Sequence, residues 1–167
     1  MGEPGAGMIL DVAPLHNAVA RLEEGLARYR RDPSDEQIRD GLIQRFEFTY
    51  ELSHRLLKRY LRQTAATPDE FDRMAFADLI RSANERALLA GDWGDWRRYR
   101  DMRARTSHTY EPEVAVEVVA GIPEFLGEAR FLADELRRRG WGLRIARYRA
   151  GAAIFRPRSG DRYRPPA

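Results

Sequence analysis

The chain has 167 residues, 43% of them hydrophobic and 33% charged, with no cysteine, three histidines and a net charge of +3. That length suits one compact domain with a tail, and the lack of cysteine excludes disulfides, thiolate zinc sites, iron–sulfur clusters and a cysteine nucleophile. No run approaches the roughly 18 apolar residues of a membrane helix, and the first residues have neither the basic start nor the apolar stretch of a secretion signal, so a cytoplasmic protein without membrane association is expected.

The basic balance is unevenly placed. Residues 140–167 carry seven arginines against one acid, Asp161, which leaves 22 basic and 25 acidic residues in 1–139. Any argument for nucleic acid from overall charge therefore concerns the tail and not the body. Residues 1–10 read as a flexible N-terminus, 11–139 as a helical body and 140–167 as an Arg/Gly/Pro-rich extension.

From Asp11 to about Arg31, Leu15, Ala18, Val19, Leu22, Leu26 and Tyr29 recur at three- and four-residue spacing and predict a first helix. Pro33 breaks it, and Ser34 with Gln37 three residues on has the pattern of a capping box opening a second helix over Asp35–Gln63. Ile38, Leu42, Phe46, Tyr50, Leu57 and Leu61 line one side of that helix. A third helix is expected over Phe71–Leu89, closed by Ala90-Gly91, and a shorter fourth over Trp93–Arg105, beginning after Asp92.

Pro112 suits the first turn of a fifth helix running to Arg139, with Pro123 bending or splitting it and Gly140 stopping it. Beyond it, Leu143–Tyr148 and Ala152–Phe155 are β-like runs around Ala150-Gly151 that admit a short hairpin, and Arg156–Ala167 has a disordered composition. The expected fold is all-α, an antiparallel four- or five-helix up-and-down bundle. Wide apolar stripes, together with Trp93, Trp96 and Tyr99 read as surface aromatics, point to a homodimer.

With no cysteine, chemistry falls to His, Arg, Tyr, Ser/Thr or carboxylates, and neither a metal nor another cofactor is called for. His16 reads as a boundary residue and His54 as a half-buried imidazole. His108 differs: it lies in the break after the fourth helix, flanked by Ser107 and Thr109 and preceded by Arg97, Arg98, Arg100, Arg103 and Arg105. Attack of an RNA 2′-hydroxyl on its own phosphate needs one group that moves protons near neutrality and one fixed cation, which imidazole and guanidinium supply. On a straight helix Arg103 and His108 would point about 140° apart, so the break must turn the histidine.

Met102-Arg103-Ala104-Arg105-Thr106-Ser107-His108-Thr109-Tyr110, with Phe46-Glu47-Phe48-Thr49-Tyr50-Glu51-Leu52 and Lys58-Arg59-Tyr60-Leu61, resembles the HepT-like branch of the HEPN superfamily, the nucleotidyltransferase substrate-binding proteins. The likeness covers Leu15 to Leu136 and leaves out the arginine-rich tail. It implies a dimeric, metal-independent endoribonuclease toxin with Arg103 and His108 as catalytic residues. It also implies a minimal nucleotidyltransferase partner of the MntA type that silences the toxin by adenylylating Tyr110. Arg97, Arg98, Arg100 and Arg105 would contact RNA phosphate, with Glu47, Glu51 and Ser107 in support. The local reading of Glu47 and Glu51 is surface charge paired with Arg45 or Arg55.

Two positions depart from the pattern. Ala104 stands where a polar residue, often asparagine, usually follows the arginine, and it cannot orient the histidine or a phosphate. His54 stands where the family usually has tryptophan. Two other functions remain open at this level: a non-catalytic subunit presenting a substrate to a nucleotidyltransferase, and an RNA-binding adaptor that grips through its tail.

Overall fold

The computed structural model describes residues 10–154, with side chains through Gly140, and forms an all-α bundle. Its helices are α1 (Ala13–Arg31), α2 (Glu36–Thr64), α3 (Glu70–Arg73), α4 (Phe76–Glu85), α5 (Trp93–Arg105) and α6 (Pro112–Ile154), with a 3₁₀ turn at Thr106–His108 between the last two. The short α1–α2 link makes those helices antiparallel neighbours. Both pack against α6, and α5 lies across α2 and α6.

The expected stripes form the core. Leu15 and Leu22, Phe46 and Leu57, Ile80, and Ile122, Phe125 and Leu132 meet with almost no exposure. Each such side chain contributes roughly 1.5–3 kcal/mol by leaving water. An aromatic knot fixes the helix that leads to the motif: Phe125 meets Phe46 edge-on at 5.0 Å and Tyr99 at 5.3 Å, while Tyr50 lies 6.3 Å from Trp96. Trp96 and Tyr99 are therefore core residues, and Trp93 is half-buried against Phe76, so the expected aromatic surface does not exist. The bundle buries them because α5 turns its aromatic edge inward and its arginines outward.

Several boundaries differ from expectation. The N-cap of α2 is Asp35 and not Ser34: its carboxylate accepts from the backbone of Gln37 at 2.9 Å and Ile38 at 3.0 Å, while the Ser34 hydroxyl donates to Asp32. The expected third helix is two pieces, α3 and α4, and stops at Glu85. Ala87 there adopts φ 52°, Leu88 N–H donates to the Ala83 carbonyl and Ala87 N–H to that of Asn84, a Schellman closure built on alanine. Gly91 is thus no helix cap. A Cβ on it would lie 2.8 Å from the Asp95 carboxylate, which forms a reciprocal capping box with Asp92 at the start of α5.

The last helix is one element through Ile154, so Pro123 does not split it, Gly140 does not stop it and no hairpin forms at Leu143–Ile154. Leucine, arginine and alanine in that stretch favour helix, and the three glycines at 140, 142 and 151 do not end it. Pro123 removes only the N–H that would reach the Val119 carbonyl. The Arg-rich residues beyond 154, expected to be disordered, lie outside the described residues.

Candidate functional site

The site is the C-terminal end of α5 and the turn that follows. The Asp92–Asp95 capping box starts α5, and the chain leaves helical geometry at Thr106, as read from the β-branched and hydroxyl residues there. Gly121 lets α6 approach closely, since a Cβ on it would fall 2.5 Å from Met102 Sδ, beside Arg103.

Arg103 is held by the second helix. Its Nη1 lies 3.1 Å from Glu47 Oε1 and its Nε donates to Glu51 Oε1 at 3.0 Å. Nη1 also donates to Thr106 Oγ1 at 3.1 Å, and that hydroxyl in turn lies within hydrogen-bond reach of Glu47 Oε1 and, at 2.8 Å, of the Arg103 carbonyl. Glu47 and Glu51 thus serve Arg103 and not Arg45 or Arg55. Arg45 turns instead to Glu24 at 3.5 Å and to the Arg21 carbonyl at 2.6 Å. One guanidinium facing two carboxylates carries a net charge of −1, so Arg103 in a single chain is ordered but not a free cation.

His108 and Ser107 are exposed on the 3₁₀ turn, and Tyr110 is 76% exposed beyond it. The His108 and Tyr110 rings are 6.0 Å apart, centre to centre. The turn is closed by Thr109 Oγ1 donating to the Thr106 carbonyl at 3.1 Å and by Glu111 N–H donating to that of His108 at 3.0 Å. No hydrogen bond joins Arg103 to His108 among the described residues.

The remaining arginines divide. Arg98 pairs closely with Glu124 and at 3.3 Å with Asp95, and Arg105 pairs closely with Glu117. Arg100 stacks 5.0 Å over Phe76, and Arg97 forms no ion pair among the described residues. Arg97 and Arg100 therefore keep their charge available for an anion. An open groove of ≈ 520 Å³ borders the Arg103 network, lined by Gln37, Gln44, Glu47, Thr106 and Thr109 among others. No cluster of three or more His, Asp or Glu suited to a metal ion occurs among the described residues.

The other histidines stand apart from the motif turn. His54 is half-buried and edge-on to Phe76 at 5.2 Å; burial, with Lys58 and Arg100 nearby, pushes its imidazole below the ordinary value despite Glu51. His16 is half-buried with its Nε2 unpaired. Burial pushes the Tyr50 and Tyr99 hydroxyls up to about 12, so both stay protonated.

One residue that sequence reasoning missed organises the approach to α5. Glu128 is buried on α6 and accepts from Trp96 Nε1 at 3.0 Å, Ala90 N–H at 3.2 Å and Gly91 N–H at 2.8 Å. Burial raises its carboxyl above the ordinary value while these donors pull it back. No sequence signal marks it, because its partners lie more than thirty residues away.

Fold and motif together define a class: a small all-α bundle that presents Arg-x₄-His-x-Tyr at the exposed end of a short helix. Residues 10–138 match the model of the nucleotidyltransferase substrate binding protein like family, and the chain belongs to that family. It is similar to the Haemophilus influenzae protein named Probable ribonuclease HepT, 48% identical over 99 residues that cover 59% of this chain and 67% of the relative. A solved Haemophilus influenzae structure, described as the fold of a substrate binding domain of a nucleotidyltransferase, is 38% identical, covers 76% of this chain and 99% of its own, and has a TM-score of 0.71. A Thermus thermophilus crystal structure is 30% identical, covering 75% and 98%, with a TM-score of 0.58. No helix among the described residues is long and apolar enough to cross a membrane.

Proposed function

We propose that this protein is a HepT-like, metal-independent endoribonuclease, the toxin of a toxin–antitoxin pair, and that a minimal nucleotidyltransferase of the MntA type silences it by adenylylating Tyr110. The observation that carries this reading is the exposed turn in which His108 and Tyr110 follow an arginine that α2 holds in place. The name of the similar Haemophilus influenzae protein, Probable ribonuclease HepT, supports the activity. Membership of the nucleotidyltransferase substrate-binding family supports the partner.

The chemistry follows from the groups. His108 takes the proton of a ribose 2′-hydroxyl, whose oxygen attacks the adjacent phosphorus; the P–O5′ bond breaks, leaving a 2′,3′-cyclic phosphate and a 5′-hydroxyl that regains a proton. Arg103 meets the charge that builds on the phosphoryl oxygens, and Arg100, one turn earlier on α5, adds positive charge. Because Glu47 and Glu51 over-neutralise Arg103 within one chain, a second copy facing the same cleft would supply the missing positive charge and a second histidine to protonate the leaving oxygen. Adenylylation joins the Tyr110 oxygen to the α-phosphorus of ATP with loss of pyrophosphate. The product sets bulk and a negative phosphodiester two residues from His108, where RNA phosphate must come.

A specific observation favours a second reading, a non-catalytic subunit that presents a substrate to a nucleotidyltransferase. Ala104 gives no polar group to the site, and Arg103 is already occupied. The two readings separate on RNA with a single 2′-deoxy position at the cleavage site. The ribonuclease cuts the all-ribose strand to a cyclic phosphate and leaves the substituted strand intact. The subunit cuts neither and instead transfers nucleotide, through its partner, to a target other than Tyr110.

A further inference from the structure

We propose that Thr106 is a positioning residue for Arg103, holding the guanidinium from the 3₁₀ turn. The inference rests on the ribonuclease reading for its catalytic consequence and on geometry for the rest. Thr106 is 7% exposed, and Arg103 Nη1 donates to its hydroxyl at 3.1 Å. A hydroxyl has one proton and two lone pairs. The proton goes to Glu47 or to the Arg103 carbonyl, both within reach, while a lone pair takes the guanidinium. The β-branched side chain restricts rotation about χ1, so these contacts hold one geometry.

The consequence is a guanidinium fixed on two sides. Glu51 accepts from Nε, Thr106 accepts from Nη1, and Glu47 pairs with Nη1 by charge at 3.1 Å, while Nη2 makes no hydrogen bond among the described residues and its N–H groups can meet an incoming phosphoryl oxygen. The same residue acts on the histidine's turn, because its carbonyl accepts the Thr109 hydroxyl that closes it. Thr106 is thus hydrogen-bonded to the motif arginine, to an α2 carboxylate and to the turn that carries His108. Holding a charged donor in place before the substrate arrives removes an ordering cost from the reaction.

The test compares Thr106→Val, which keeps the shape and removes the hydroxyl, with Thr106→Ser, which keeps the hydroxyl, after thermal melts confirm that both fold. Two readouts are taken on full-length protein. The first is NMR of the Arg103 guanidinium: rotation about its Nε–Cζ bond is slow in the wild type and in Thr106→Ser and fast in Thr106→Val. The second is RNA cleavage: kcat falls about tenfold in Thr106→Val with KM within about twofold, and Thr106→Ser recovers it. Unchanged guanidinium rotation in Thr106→Val overturns the proposal, and freed rotation without a fall in kcat overturns its catalytic part. If the wild type cleaves no RNA, the ribonuclease reading fails, and the NMR comparison still decides whether Thr106 positions Arg103.

Discussion

Arg103 on α5 and Glu47 on α2 meet at 3.1 Å across a helix interface, with Thr106 bonded to both, so the motif arginine is fixed by a residue 56 positions earlier in the chain. Glu51 completes the grip at 3.0 Å. The arrangement exchanges availability for order: the arginine has one geometry, and an RNA phosphate must compete with carboxylates for it.

That competition is measurable. Glu51 is exposed and carries a full charge beside Arg103, so Glu51→Gln keeps an acceptor and removes the repulsion felt by phosphate. Binding of a 2′-O-methyl RNA, followed by fluorescence anisotropy, is expected to tighten about two- to threefold at low salt and to lose that gain as salt shortens the screening length. Equal affinity at low salt would show that Glu51 does not oppose phosphate.

Glu128 supports the same region from below. Glu128→Ala leaves the Trp96 indole N–H without its acceptor in a buried position and the N–H groups of Ala90 and Gly91 without theirs at its part-buried edge, and this is expected to cost about 3 kcal/mol, read from the urea midpoint. A cost under about 1 kcal/mol would mean that water replaces the carboxylate.

His54 links stability to acidity. Its folded-state pKa lies below the ordinary 6.5, so the unfolded chain binds the proton more readily and stability is lost as pH falls from about 6.5 through the folded value. His54→Phe removes this loss while keeping an aromatic against Phe76. Denaturation of the two proteins across that range is expected to show the wild type losing ground to the variant as pH drops, and a difference independent of pH would contradict it. Glu128, present in both, has the opposite sign and cancels in the comparison.

Ala87 closes α4 at φ 52°, where an alanine is strained and a glycine is not. Ala87→Gly is expected to raise stability by about 1 kcal/mol. An unchanged urea midpoint would show that the closure stores no strain.

These residues also show what a sequence reader can and cannot see. The bounds of α5 were legible because Asp92 and the break after Arg105 are local signals, and the core faces of α1, α2 and α6 because periodicity is local too. The end of α4 was not, since the left-handed residue is alanine and the nearby glycine serves another purpose. Trp96 and Tyr99 share α5 with five arginines, and spacing alone does not say which edge turns inward. Arg103 and His108 drew attention by residue type beside the helix break, and Tyr110 entered only through the resemblance to the family's motif. The wiring of Arg103 to Glu47, Glu51 and Thr106 did not show, because helix neighbours such as Arg45 and Arg55 offered equally plausible partners until α2 and α5 were set side by side.

The central claim, that the motif turn performs RNA cleavage, is tested most directly by the cleavage rate of purified His108→Ala against the wild type on one RNA, without any nucleotidyltransferase present. His108 is exposed, so the variant should fold unchanged. The account predicts a loss of about 10²-fold or more with products ending in a cyclic phosphate only for the wild type; equal rates, or no cleavage by either protein, would contradict it.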